Sequence, residues 1–197
     1  MVNNFNLISK FLTFESGDDF YFLQILKRKK ENPEQTGNSR TIKTYYIDSL
    51  EKFFKLEKEI QTLCELHNAR AYINLNKRSY EKIAFHHLKK VTDCLLNKDF
   101  KSIKDAYNSV CGSFSNSTEK RWIIDVDSSI EEATLIAHEI QKQSIENESN
   151  ILGYIPTING FHIITKPFNT QLIASFKIQH SFDIQKNNPT LLYYNKI

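Results

Sequence analysis

An α+β fold is predicted for this chain, as one compact unit of two lobes, and three observations predict it. Strand-like and helical stretches come in blocks: a strand pair, then helices, then a second block with its own hairpin. The second block has the order strand, helix, hairpin, helix, strand, which lets helices cover one face of an antiparallel sheet. The 197 residues are 40% hydrophobic and 12% aromatic, ample for a packed interior and against disorder.

Taken in order, residues 19–30 (DDFYFLQILKRKK with its leading Asp18) form an apolar strand that turns basic at its end. The polar loop ENPEQTGNSR separates it from a second strand, TIKTYYI, at 41–47. A helix is expected from Ser49 to His67, because Phe53, Leu56, Ile60, Leu63 and Cys64 share one stripe and Asp48 or Ser49 can cap it. ARAYINL at 69–75 reads as a short strand. Helices follow at 79–97, with Ile83, His87, Val91 and Leu95 at helical spacing, and at 99–111, where Gly112 can end the second. The small polar run GSFSNSTEK at 112–120 divides the lobes, giving an N-terminal α/β lobe at 1–112 and a second lobe at 113–197.

The second lobe opens on the strand RWIIDVD. Ser128 or Ser129 then caps a helix running to about 147, whose first turn holds Glu131 and Glu132 and whose core stripe is Ala133, Ile136, Ala137 and Ile140. ILGYIPT and FHIITKPF flank Ile158-Asn159-Gly160, a hairpin signal. A short helix near 169–177 and strand pieces at 178–184 and 190–194 complete an order that is RRM-like, or ferredoxin-like, with one sheet face left free.

Several function classes are excluded or left without support. The net charge of +3 is too mild to argue for nucleic acid by itself. Cys64, Cys94 and Cys111 are odd in number and lack C-x-x-C spacing, which speaks for a reducing compartment and against a zinc knuckle or disulfide scaffold. The amino terminus lacks a cationic start followed by an apolar run, and no stretch approaches 18 apolar residues. A cytoplasmic protein with no membrane partner is expected.

The chemistry concentrates in IIDVD. Strand side chains alternate, so Ile124 and Val126 enter a core while Asp125 and Asp127 point the other way together, their Cα atoms about 6.6 Å apart. Paired carboxylates on a rigid element repel unless a cation lies between them, and a divalent ion meets that need. In FHIITKPF the same alternation groups His162, Ile164 and Lys166 opposite Phe161, Ile163 and Thr165. His162 and Lys166 are therefore expected on the open face, where basic groups beside a metal would clamp a phosphate chain. A two-metal site needs more oxygen ligands than two aspartates, and Asp183 in HSFDIQ is the candidate third. His138 and the His86-His87 pair have no companion at metal-ligand spacing.

A hydrophobic-D-hydrophobic-D strand, the NGFH turn and the FD step, in this order, resemble the three motifs of the archaeo-eukaryotic primase superfamily, closest to its small phage- or plasmid-type primase-polymerases. The resemblance covers the last 80 or so residues by motif. It implies an RRM-like catalytic lobe, two Mg²⁺ or Mn²⁺ ions bound by Asp125, Asp127 and Asp183, and a catalytic His162 that, with Lys166, contacts the phosphates of the incoming nucleotide. It further implies a DNA or RNA template-primer and nucleoside triphosphates as partners, with a replicative helicase among them, in the cytoplasm of a bacterial host. One departure is clear: Gly160 stands where the second motif usually carries a small hydroxyl residue. Nothing in the chain resembles a zinc-binding stem or a helicase domain.

Template contacts are sought among Lys27, Arg28, Lys29 and Lys30, then Arg40, Arg70, Lys77 and Arg78, with Tyr45, Tyr46, Tyr72 and Tyr80 nearby for stacking. The function expected is template-dependent nucleotidyl transfer with release of pyrophosphate. Two alternatives use the same residues differently: a metal-dependent phosphodiesterase or nuclease with water as nucleophile, and a non-catalytic binder of single strands.

Overall fold

In the computed structural model, which describes residues 1–115, 117–144 and 148–195, the strands assort into two sheets, and the fold is α+β. The first sheet runs, in spatial order, β1 (Val2–Asn3), β10 (Thr190–Tyr194), β4 (Arg70–Ile73), β2 (Asp19–Lys27) and β3 (Arg40–Ile47), with β5 (Arg78–Ser79) paired to the start of β2. The second runs β7 (Ile151–Pro156), β8 (Phe161–Thr165), β6 (Trp122–Val126) and β9 (Asp183–Gln185). Every pairing in both sheets is antiparallel.

The N-terminal lobe mixes strands and helices, and its sheet is antiparallel throughout. The helical crossover between β3 and β4 exists, but β2 lies between those strands and pairs antiparallel with both. The crossover is also split. Ser49 caps α2 (Leu50–Lys55) by accepting from the Lys52 N–H, and the backbone tightens at Leu56 before α3 (Glu57–His67) begins. Ile60 and Cys64 are buried as the stripe requires. In α4 (Tyr80–Leu96), Ile83 and Cys94 are the buried residues while Leu95 is exposed. The segment at 99–111 starts as a 3₁₀ turn, Ser102–Asp105, and becomes α5 (Ala106–Ser113).

In the second lobe Ser129 caps α6 (Ile130–Gln141), with Ala133, Ile136, Ala137 and Ile140 all buried. The expected continuation of this helix to 147 crosses residues 145–147, which lie outside the described residues. The short helix expected at 169–177 is a 3₁₀ turn, Thr170–Ile173, followed by α7 (Ala174–Gln179), so the strand expected at 178–184 shrinks to β9.

Two features have no counterpart in the sequence reading. The N-terminus contributes β1 and the helix α1 (Phe5–Ser9), whose Phe5 and Ile8 are buried. The last strand, β10, leaves the second lobe and joins the first sheet, where all five of its residues are buried. The two sheets consequently share a core. Ile124, Val126 and Ile163 pack under α6 with Ile173 and Phe182. From the other face, Ile123, Ile155 and Ile164 enter the same cluster as Phe5, Ile8, Leu23, Phe53 and Ile60. The second sheet's outer face is thus largely covered by the first lobe. Among the described residues no helix is long and apolar enough to cross a membrane.

Candidate active site

The site grows out of the alternation in β6. Ile124 and Val126 turn toward α6, Ile123 turns into the shared core, and Asp125 lies one step beyond it, where that core gives way to a cleft. Asp127 follows the last residue of the strand and is exposed, and both carboxylates line the same cleft. Register places Asp125 directly opposite His162 on β8 and opposite Asp183 on β9.

His162 is buried, not exposed as alternation alone suggested, because the first lobe covers its face of the sheet. Its Nε2 lies 3.3 Å from Asp125 Oδ1, and its Nδ1 lies 2.8 Å from the hydroxyl of Thr190, the buried first residue of β10. With Nε2 donating to the carboxylate, a neutral ring accepts the Thr190 proton at Nδ1. Gln185 Nε2 donates to the other carboxylate oxygen at 3.3 Å. The His162 contact holds the Asp125 carboxyl below its ordinary range, against the upward pull of burial and with help from Gln185.

The cleft, about 410 Å³, lies between the sheets and has two unlike walls. One carries Asp125, Asp127, His162 and the hairpin tip Thr157–Asn159. The other comes from the first sheet and its loops and carries Arg28, Lys30, Ser39, Arg70 and Tyr72. Arg28 Nη1 donates to Tyr72 Oη at 3.0 Å, and Arg70 Nη1 approaches the same oxygen at 3.4 Å. Arg70 Nη2 also pairs with Glu31 at 2.7 Å, and its guanidinium lies 4.7 Å from the centre of the Tyr194 ring.

Other predicted residues fall elsewhere. Asp183 shares Asp125's register, but its carboxylate is exposed on an edge strand and lies 3.4 Å from Lys177. Lys166 follows β8 and reaches Glu148 at 3.1 Å rather than the cleft. Arg40 is exposed and does not line the cleft. Arg78 is fully buried and donates to the carbonyls of Cys111 and Asn76; burial pulls its guanidinium down to about 10. It holds the core together and is unavailable to a phosphate backbone. Lys77 pairs with Asp19 at 3.1 Å and Glu15 at 3.2 Å. Of the four tyrosines, only Tyr72 reaches the cleft; Tyr45 and Tyr46 bond to Glu59 and Asn108, and Tyr80 stacks on Phe20.

The structure also explains why position 160 is a glycine. A Cβ on Gly160 would lie 1.9 Å from the Val126 carbonyl and 2.7 Å from the Ser128 nitrogen. The hairpin tip is therefore pressed against the turn that follows β6, close to Asp125 and Asp127. Its φ is not positive, so close approach and not turn geometry requires glycine here. A hydroxyl side chain has no room at 160.

No family model, curated protein or solved structure matches this chain. The chemistry of the cleft follows from its own geometry. Asp125 and Asp127 offer hard oxygen donors suited to Mg²⁺ or Mn²⁺, and two of the three expected carboxylates line one cavity. Among the described residues no group of three or more His, Cys, Asp and Glu side chains is gathered tightly enough to hold a metal. Asp125 and Asp127 alone would leave most of such an ion's coordination shell to water. Thr190, Gln185 and Glu31 were missed by sequence reasoning. Thr190 and Gln185 act through pairings across strands, and nothing local marks them.

Proposed function

We propose that the chain is a template-dependent nucleotidyltransferase of the primase-polymerase kind, with an RRM-like (ferredoxin-like) lobe bearing its catalytic carboxylates. The antiparallel strand order β7-β8-β6-β9, with α6 and α7 packed on one side, supports the RRM-like reading. The observation that carries the function is the meeting of unlike walls in one cleft: Asp125 and Asp127 beside His162, facing Arg28, Arg70 and Lys30. A metal–triphosphate complex has this polarity, cationic toward the carboxylates and anionic toward the arginines.

In the reaction, a primer 3′-hydroxyl, or that of a first nucleotide, attacks the α-phosphorus of a nucleoside triphosphate. The new P–O bond replaces the bond to pyrophosphate, and the hydroxyl proton is lost to solvent. Asp125 and Asp127 would hold Mg²⁺ or Mn²⁺, with Asp183 joining them if its carboxylate leaves Lys177. Bound there, the ions would supply Lewis-acid activation of the hydroxyl and offset charge on the leaving group. His162, held by Thr190 at Nδ1, would donate from Nε2 to a phosphate oxygen once Asp125 turns its carboxylate from the ring toward the metal.

Primer extension on a labelled primer–template, with Mg²⁺ or Mn²⁺ and with dNTPs or NTPs, tests the proposal directly. Asp127→Ala is the cleaner variant, because Asp127 is exposed and outside the core. Both it and Asp125→Ala are expected to abolish nucleotide addition while the circular dichroism spectrum is unchanged. Full activity in either would sink the proposal. Shortening of the labelled strand without nucleotides would instead assign the carboxylates to hydrolysis, and metal-independent binding alone would leave a non-catalytic binder.

A further inference from the structure

Arg28 and Arg70 are candidate template contacts by sequence, but both line the same cleft as Asp125 and Asp127, on the side contributed by the first sheet. Arg70 is fixed on three sides, by Tyr72, Glu31 and the Tyr194 ring. Its Nε is buried and has no hydrogen-bond partner among the described residues. Arg28 is held by Tyr72, with Glu31 Oε2 a distant 3.7 Å from its Nε. That Glu31 oxygen is itself buried and unpartnered among the described residues. One carboxylate thus serves two guanidinium groups, and Lys30 adds a third cation to the same wall. The wall thus keeps an excess of positive charge, with one guanidinium nitrogen unpartnered among the described residues, at the cleft that also holds Asp125 and Asp127.

We propose that Arg28 and Arg70 form a polyphosphate subsite that receives the β- and γ-phosphates of the incoming nucleotide, opposite the carboxylate wall. This rests on the nucleotidyltransferase reading and adds to it that the triphosphate spans the gap between the two sheets. Guanidinium groups suit the task because their planar donors pair with phosphate oxygens two at a time. Pre-positioning by Tyr72, Glu31 and Tyr194 lowers the entropy lost on binding. The nucleotide would then tie the lobes together, with His162 reaching it from one sheet and the arginines from the other.

The test measures binding of Mg²⁺–dATP, deoxyadenosine, tripolyphosphate and a short single-stranded oligonucleotide to the full chain by calorimetry. Wild type should bind dATP, lose it to tripolyphosphate in competition, and bind deoxyadenosine far more weakly. Arg28→Ala, the more exposed of the two positions, and Arg70→Ala should each weaken dATP binding about tenfold or more, as loss of a charge-assisted phosphate contact predicts. Oligonucleotide affinity should change less than about threefold. Thermal melts identify a variant that has lost its fold, and Arg28→Ala then decides alone. Unchanged dATP affinity in a folded variant overturns the subsite, as does an equal or greater loss of oligonucleotide affinity. Failure of wild type to bind either dATP or tripolyphosphate also overturns it. Primer extension by wild type and Asp127→Ala reports separately on nucleotidyl transfer, so the subsite can fail while that reading stands.

Discussion

At the scale of residues, the Asp125–His162–Thr190 chain links a strand of the second sheet to a strand of the first. Thr190→Val keeps the shape and removes the hydroxyl, so His162 loses the partner that fixes its ring. Nucleotide addition is expected to fall roughly tenfold with little change in melting temperature, the usual scale for loss of an orienting partner. Activity equal to wild type would leave Thr190 with a packing role only. Gly160 predicts the opposite balance. Gly160→Ala drives a Cβ into the Val126 carbonyl and should cost roughly 1–3 kcal/mol in urea unfolding, because backbone and not a flexible side chain must move. The D-x-D pair and the histidine were legible as residues, since alternation in a strand fixes which side chains go together. Their surroundings were not. Periodicity distinguishes two faces of a strand but cannot say that a second sheet will cover one of them, so His162 was expected in the open. Arg78 failed for a related reason: nothing in a basic residue's own sequence context reveals that it will be enclosed.

At the scale of elements, long strands and capped helices were legible because each satisfies its own local pattern, as in β2, β3, α4 and α6. Short pieces were not: β1, α1 and β9 are held by partners distant in sequence and carry little local signal. The entry to β2 shows how one such junction is secured. Asp19 is buried at the first residue of the strand and accepts from the backbone of Glu15 at 2.8 Å and Ser16 at 3.2 Å, with Lys77 at 3.1 Å. Burial pushes its carboxyl upward, yet these donors together hold it below the ordinary value. A carboxyl lowered on folding contributes stability that is present above its unfolded pKa, about 3.9, and lost as pH falls through the lowered value. Asp19→Ala should therefore destabilise the protein by roughly 2 kcal/mol at neutral pH. The difference between variant and wild type should shrink below about pH 4, which urea melts across that range would detect. A difference independent of pH would mean that the loss is one of packing alone.

At the scale of the whole molecule, the division drawn at 112/113 falls at the last turn of α5, and the core runs across it. Ile123, Ile155 and Ile164 pack with residues of the first lobe, and Asn4 donates at 2.9 Å both to Pro156 in the second sheet and to Leu191 in the first. β10 then returns the chain to the first sheet between β1 and β4. A sequence read from left to right gives no sign of such a return, because the closing strand lies far from its neighbours and looks like any other C-terminal strand. The consequence is a single cooperative unit. The intact chain should unfold in one transition, with far-UV and near-UV signals coincident. The fragment 1–112 should show no cooperative melt, although it contains most strands of its sheet. Without β10 it lacks the buried side chains Leu191, Leu192, Tyr193 and Tyr194 and leaves β4 with an unpaired edge. Each such side chain is worth about 1.5–3 kcal/mol when buried, and four of them approach the roughly 5–15 kcal/mol that holds a whole domain. Removing the second lobe also uncovers the apolar surface that Ile123, Ile155 and Ile164 occupied, which favours aggregation. A sharp melt of fragment 1–112, monomeric in solution, would show instead that the first lobe folds alone and that β10 merely docks on it.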